Sequence, residues 1–297
     1  MRVFVTGATG FIGSAVVLDL LEAGHRVLGL ARSDEGAASL AATGAEVQRG
    51  TLQELDVLRA AAAASDGVIH TAFIHDFSNF EASVETDRLA IEALGEALAG
   101  SDRPLVVSSG SALAARGEPA TEETGIADPP LNPRVSEQTA LRFADRGVRA
   151  TAIRLAPTVH GEGEHGFVPM LIDLAREKGG AAYIGEGTNV WPAVHRLDAA
   201  RLFRLALESA PAGRRLNAVD EQGVPFRSIA EAIGAGLNLP VKSVSGDEVG
   251  AYFGWFAHFA NLDNPTSSAL TREWLGWRPE HVGLLEDLAA SHYFEKK

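Results

Sequence analysis

The chain has 297 residues, 46% of them hydrophobic, and a formal net charge of −13. That is enough apolar material for one large domain with a smaller one attached, and the negative balance, with no basic stripe anywhere, argues against nucleic acid as a partner. The absence of cysteine excludes a disulfide framework, thiolate catalysis and thiolate metal sites. No apolar run approaches the ~20 residues that a membrane helix needs, and no charged-plus-apolar leader precedes Met1-Arg2-Val3, so the sequence reads as a cytoplasmic protein without a membrane partner.

Val3-Phe4-Val5 predicts a buried strand, and Thr6-Gly7-Ala8-Thr9-Gly10-Phe11-Ile12-Gly13 leads from it into an amphipathic helix expected over 14–23. Gly7 permits the tight turn out of the strand, Gly10 lets backbone approach a pyrophosphate, and Gly13 lets the helix pack closely on the sheet. The helix N-terminus adds free N–H groups and a partial positive charge. These observations predict a dinucleotide site contributed by Gly7, Thr9, Gly10, Phe11, Ile12 and Gly13.

Gly24-His25 closes the turn, and Arg26-Val27-Leu28-Gly29-Leu30 predicts the second strand of a βαβ unit. An NAD-preferring site places an acidic residue at the end of that strand. Here Arg32 and Ser33 offer a guanidinium fork and a hydroxyl to a 2′-phosphate, so NADP is the expected cofactor, with NAD as the alternative.

The alternation continues with a helix near 37–42, a strand at 46–48, a helix near 55–64 and a strand at 67–70. A helix over 80–99, a strand at 104–107, a helix over 135–146 and a strand at 150–154 follow. This pattern predicts an α/β fold built on a doubly wound parallel sheet of the Rossmann type. Beyond Pro157 the segments are punctuated by Gly and Pro, with helices near 168–178, 199–209 and 226–237. The expected organisation is a dinucleotide-binding domain over 1–158 and a smaller substrate-binding region over 159–297, partly interleaved with the first.

His75, beside Asp76 after the fourth strand, and His160, after the sixth, fall at the carboxyl edge of the sheet, where open α/β folds bind ligands. Either imidazole titrates near neutrality and can exchange a proton with a substrate oxygen. No two histidines share a helical face with a third ligand nearby, so no metal is expected. The aromatic stretch over 251–259 leaves three readings open: a pocket roof, a core helix or a dimer contact. As a roof it implies a hydrophobic carbonyl or alcohol substrate.

With Thr6-Gly7-Ala8-Thr9-Gly10-Phe11-Ile12-Gly13 at the start, Val106-Val107-Ser108-Ser109 ending the fifth strand and Ala193-Val194-His195-Arg196-Leu197-Asp198 late, the chain resembles the extended short-chain dehydrogenases/reductases, including the NAD-dependent epimerase/dehydratase proteins. The resemblance implies further cofactor contacts at Thr51 and Leu52 (adenine), Thr71, Ala72 and Phe73 (ribose and pyrophosphate), Ser108, and Pro157 and Val159 (nicotinamide). It implies that Asp198 caps or hinges a helix, and that dimers form through the helices over 80–99 and 135–146.

Members of the family carry a Tyr, then three residues, then a Lys; the matching stretch here has Pro133 and Glu137. Neither can supply the usual phenolic proton or the cation that activates it. The substrate-orienting hydroxyl after the fifth strand falls at Gly110, flanked by Ser109 and Ser111. Candidate catalytic groups are therefore His75, His160, Ser109 and Ser111. The resemblance implies an NADP-dependent oxidoreductase with an atypical active site, the alternatives being a catalytically silent NADP-binding sensor or a nicotinamide-dependent lyase or isomerase.

Overall fold

The computed structural model describes residues 1–114, 118–127 and 133–295. The first half alternates strand and helix: β1 (Arg2–Thr6), α1 (Phe11–Glu22), β2 (Arg26–Ala31), α2 (Asp34–Ala42), β3 (Glu46–Arg49), α3 (Leu55–Ala63), β4 (Gly67–His70), α4 (Phe80–Leu98), β5 (Pro104–Gly110), α5 (Ser136–Leu141) and β6 (Arg149–Leu155). The second half adds β7 (Thr158–His160), α6 (Phe167–Lys178), β8 (Ala181–Ile184), β9 (Val190–His195), α7 (Arg196–Ser209), β10 (Arg215–Ala218), β11 (Glu221–Pro225), α8 (Phe226–Leu237), β12 (Val241–Val244), α9 (Asp247–Phe253), α10 (Ala257–Ala260), α11 (Ala269–Leu275) and α12 (Leu284–Leu288).

Seven parallel strands form the central sheet in the order β10-β6-β5-β4-β1-β2-β3. Parallel pairing requires each connection to cross a face of the sheet, so the strands are covered on both sides and read as continuous apolar runs. Val3, Phe4, Val5, Val68, Ile69, Leu105, Val106 and Val107 are all fully buried. The strand order reverses between β1 and β4, which opens a crevice at their carboxyl ends.

Beyond residue 158 the chain comes back to this sheet. β10 pairs with β6, α7 packs on α1, and Trp277 shares one core with Val3 and Val106. A second core lies between the sheet β11-β9-β7 and the pair β12-β8, around Trp191, Phe226, Tyr252, Phe253 and Phe256. Part of the aromatic stretch over 251–259 belongs to this core, while Trp255 is exposed. Tyr252, Phe253 and Phe256 pack with Trp191 and Phe226, and the Tyr252 hydroxyl donates to the Gly180 carbonyl at 2.7 Å.

Two helix boundaries differ from the sequence expectation. α1 starts at Phe11, because Gly10 serves as its N-cap. The helix expected over 135–146 stops at Leu141; a 3-10 turn at Ala144–Arg146 follows and ends on Gly147 in the left-handed region. No helix among the described residues is long and apolar enough to cross a membrane.

Candidate functional site

The N-terminus of α1 opens directly onto the crevice. Gly7 leaves β1 at φ +70, which disfavours any side chain, and the Gly10 N–H returns to the Gly7 carbonyl at 2.9 Å. A Cβ at Gly13 would lie 2.0 Å from the Gly7 carbonyl oxygen, so the helix reaches the sheet only because no side chain intervenes. At Gly10 a Cβ would meet only the Gly7 oxygen, at 3.3 Å, leaving that face open. α1 has no side-chain cap and no acidic residue in its first turn. Its first N–H groups thus keep their capacity to bind an anion, and the cradle fits a dinucleotide pyrophosphate.

The floor comes from the end of β4. Thr71 donates through Oγ1 to the Thr6 carbonyl at 2.8 Å, and Ala72 lies against Gly7. Phe73 meets His75 edge-on at 5.1 Å and Phe80 at 5.8 Å. Phe11 is bracketed by the Arg196 guanidinium at 4.8 Å and His165 at 5.9 Å, so the loop after β7 folds over the start of α1. Thr9 is exposed beside Gly10, and Ile12 packs against the core.

At the rim, Arg32 is exposed and Ser33 caps α2, its Oγ accepting from the Gly36 N–H at 3.1 Å. Thr51 holds its loop through its own N–H, which donates to Glu54 at 2.8 Å, while Leu52 is buried. Val159 is buried in the first core, and Pro157 stays half-buried.

The stretch that the resemblance aligns with the family's Tyr and Lys is divided between solvent and core. Pro133 is exposed, while the buried Glu137 turns away from the crevice to a bidentate pair with Arg154 (2.7 and 2.8 Å) and a bond from Arg215 at 2.6 Å. Arg134 lies against the end of β5. Its Nη2 donates to the Ser108 carbonyl at 3.0 Å, its Nε to Ser136 Oγ at 2.7 Å, and its guanidinium lies 4.3 Å from the Phe73 ring centre.

A buried polar chain backs this arginine. Ser136 donates to Asp87, His70 bonds the other Asp87 oxygen at 3.0 Å, and Thr6 Oγ1 meets the far side of the His70 ring at 2.8 Å. Burial pushes the Asp87 carboxyl up, but the bonds and charges of His70, Arg134 and Ser136 outweigh it and hold it below its ordinary value. Arg134, Asp87 and Ser136 were not singled out from sequence, nor was the bond from Asp87 to His70. The available signal was a carboxylate and an imidazole at positions whose neighbours along α4 and β4 are apolar.

The candidate catalytic groups sit in different settings. His75 is exposed beside Arg134, and desolvation of its ring by the surrounding chain, then the charges of Arg134 and His165, lower its pKa from 6.5. Ser109 Oγ is buried with no hydrogen-bond partner among the described residues, and Ser111 Oγ donates to Asn264 at 2.9 Å. His160 lies apart from them. Buried on β7, it bonds Asp287 at 2.8 Å, next to Tyr293, whose hydroxyl donates to Glu164 at 2.7 Å and accepts the Gly161 N–H at 3.0 Å.

β7 and β9 run side by side, so His160 lies opposite His195. His195 caps α7; Asp198 instead accepts the N–H groups of Glu280 and His281, both at 3.0 Å, and the His281 ring at 3.1 Å. Among the described residues His195, Asp198 and His281 form the one group with metal-ligand spacing. The two rings are stacked at 4.6 Å and 10°, so their in-plane lone pairs do not converge, and the carboxylate is already bonded four ways, Arg201 adding a contact at 3.4 Å. The trio works as a clamp between α7 and the 280–281 loop.

Comparison with known proteins agrees with this geometry. The sequence model of the NAD dependent epimerase/dehydratase family matches residues 3–218. An uncharacterized protein of Schizosaccharomyces pombe is 53% identical over 295 residues, covering 99% of this chain and 100% of its own. A 4-hydroxy-2-methyl-3-oxo-4-farnesyl-3,4-dihydroquinoline-1-oxide ketoreductase of Stigmatella aurantiaca is 27% identical over 238 residues, 77% of this chain and 71% of the relative. Among solved structures, DesIV, a dTDP-glucose 4,6-dehydratase from Streptomyces venezuelae with NAD and TYD bound, superposes with a TM-score of 0.78 over 98% of this chain and 96% of its own, at 19% identity, which is a likeness of fold. Sheet order, glycine cradle and a family match running from β1 to the last strand of the sheet lead to one conclusion: the chain belongs to the NAD dependent epimerase/dehydratase family, whose function is of the NAD(P)-dependent oxidoreductase type.

Proposed function

We propose that the protein is an NADP-dependent oxidoreductase acting on a small carbonyl or alcohol substrate. The observation that carries this reading is the uncapped N-terminus of α1, open over Gly10 at the point where the sheet order reverses. Arg32 at the end of β2 supports NADP over NAD. The ketoreductase name of the Stigmatella relative supports a carbonyl as the reacting group.

Bound nicotinamide supplies or accepts the hydride. The protein has to polarise a substrate oxygen and move a proton to or from it. Arg134, fixed by Ser108 and Ser136 at the end of β5, places a cation where charge on that oxygen is stabilised. A guanidinium holds its protons too tightly to act as an acid, so the proton falls to His75. Desolvation and the Arg134 charge keep His75 neutral at pH 7, ready to accept a proton as an alcohol is oxidised. In the reverse direction the protonated imidazole is required, and the rate of reduction falls as pH rises through a pKa below 6.5.

The test is a fluorescence titration with NADPH and NADH followed by a screen of carbonyls and alcohols. NADPH should bind more tightly, and at least one substrate should turn over. His75→Ala should slow that turnover by roughly 10²–10⁴ without weakening NADPH. Tight NADPH binding with no turnover on any compound would establish a cofactor-bound sensor instead, the reading favoured by Pro133 and by the locked Glu137.

A further inference from the structure

β2 and β3 end side by side, with Ala31 opposite Arg49, and the chain leaves β2 through Arg32, Ser33 and Asp34. Arg49 reaches across this exit. Its Nη1 donates to the Ser33 carbonyl, and its Nη2 to the Arg32 carbonyl at 3.4 Å and to Asp34 Oδ1 at 2.9 Å. Two arginines therefore stand on one rim of the dinucleotide crevice. Arg49 is pinned to the backbone, while Arg32 takes part in no ion pair among the described residues.

We infer that Arg49 is a second determinant of cofactor choice, forming with Arg32 a two-arginine clamp for the 2′-phosphate on the adenosine ribose. The inference rests on the NADP reading above. Arg32 by itself would share its surroundings with the carboxylates of Asp34 and Glu35, and a phosphate would meet little net positive charge. Arg49 neutralises the nearer of the two. Asp34 is fully exposed, so the pair is screened and weak, and a phosphomonoester with nearly two negative charges displaces it. The two carbonyl bonds keep the Arg49 guanidinium at the rim when Asp34 lets go. Arg49 is thus a resident cation whose counter-charge is exchanged on binding.

The probes are adenosine 2′,5′-bisphosphate against 5′-AMP, and NADPH against NADH, measured by calorimetry on the native protein and on Arg49→Gln, Arg49→Lys and Arg32→Gln. Arg49→Gln should weaken the bisphosphate and NADPH about tenfold or more, leave 5′-AMP and NADH unchanged, and flatten the salt dependence of bisphosphate binding. Arg49→Lys should fall between the two. Arg49 is exposed on an edge strand, and equal melting temperatures would confirm that the variants fold. A native protein that prefers NADH overturns the NADP reading and this inference together. A native preference for NADPH that disappears in Arg32→Gln and persists in Arg49→Gln overturns the inference alone. So does an equal loss for both nucleotides in Arg49→Gln, which would make Arg49 a tether of the 32–34 turn and nothing more.

Discussion

Gly10 and Gly13 belong to one motif and respond to substitution in opposite ways. Gly10 has ordinary extended dihedrals (φ −80, ψ 173) and an open face, so Gly10→Val should leave the protein folded, at a loss of about 1 kcal/mol for a poorer cap, and abolish NADPH binding. Gly13→Val drives a side chain into the Gly7 carbonyl and should cost about 3 kcal/mol of stability, whatever the cofactor does. Urea unfolding and NADPH titration of the two variants separate the effects. Glu164 makes a second residue-level case. Burial raises its pKa to about 7, against the pull of the Tyr293 hydroxyl and the Val168 N–H. The folded protein therefore binds a proton there that the unfolded chain has already released, and this contribution to stability falls as pH rises from 4.5 to 7. Glu164→Gln should be more stable than the parent by about 2–3 kcal/mol at pH 8, with most of that difference gone by pH 5, as read from urea midpoints. The comparison between proteins matters because His195, held down to about 4 mainly by burial, acts oppositely: its contribution falls as pH drops from 6.5 to 4.

Among the elements, α5 shows most clearly what spacing can and cannot reveal. Glu137 occupies the place expected for the family lysine, yet α5 turns it to the far edge of the sheet, where Arg154 and Arg215 hold it. Glu137→Lys would set three like charges together in a buried site and should cost at least about 3–5 kcal/mol, measurable as a collapse of the thermal midpoint. No lysine-dependent activity would be regained. The clue lay in Arg154: an arginine closing the apolar run Ala150-Thr151-Ala152-Ile153 requires a buried counter-ion. The strand and helix alternation from β1 to β6 was legible because parallel strands covered on both faces are apolar throughout, with glycines punctuating the turns. β7 to β12 escaped that reading. They do not alternate regularly with helices, and they mix polar, charged, His, Trp and Pro residues into short runs such as Val-Trp-Pro-Ala-Val-His in β9 and Arg-Leu-Asn-Ala in β10. The glycine cradle could be named from sequence since its chemistry is local, whereas Arg134 depends on contacts with Ser108 and Phe73 that only the folded chain supplies.

Over the whole molecule, cationic groups gather at the crevice of a chain whose net charge is −13: Arg32 and Arg49 at one rim, Arg134 at the end of β5, and Arg196 over Phe11. An anionic cofactor is thereby drawn to one edge of an otherwise repelling surface. In the C-terminal segment, Tyr293 ties the loop after β7 to α12. The core that seats β1 also contains Phe203, Leu216 and Trp277. During synthesis the ribosome therefore delivers the nucleotide-binding half long before the chain that completes it. Val16 and Leu20 on α1 stay bare until α7 emerges, and β6 remains an open strand edge until β10 arrives. Nascent chains of this protein should spend most of their elongation time as sticky, unfinished sheets, dependent on chaperones and prone to aggregate whenever translation stalls before Trp277.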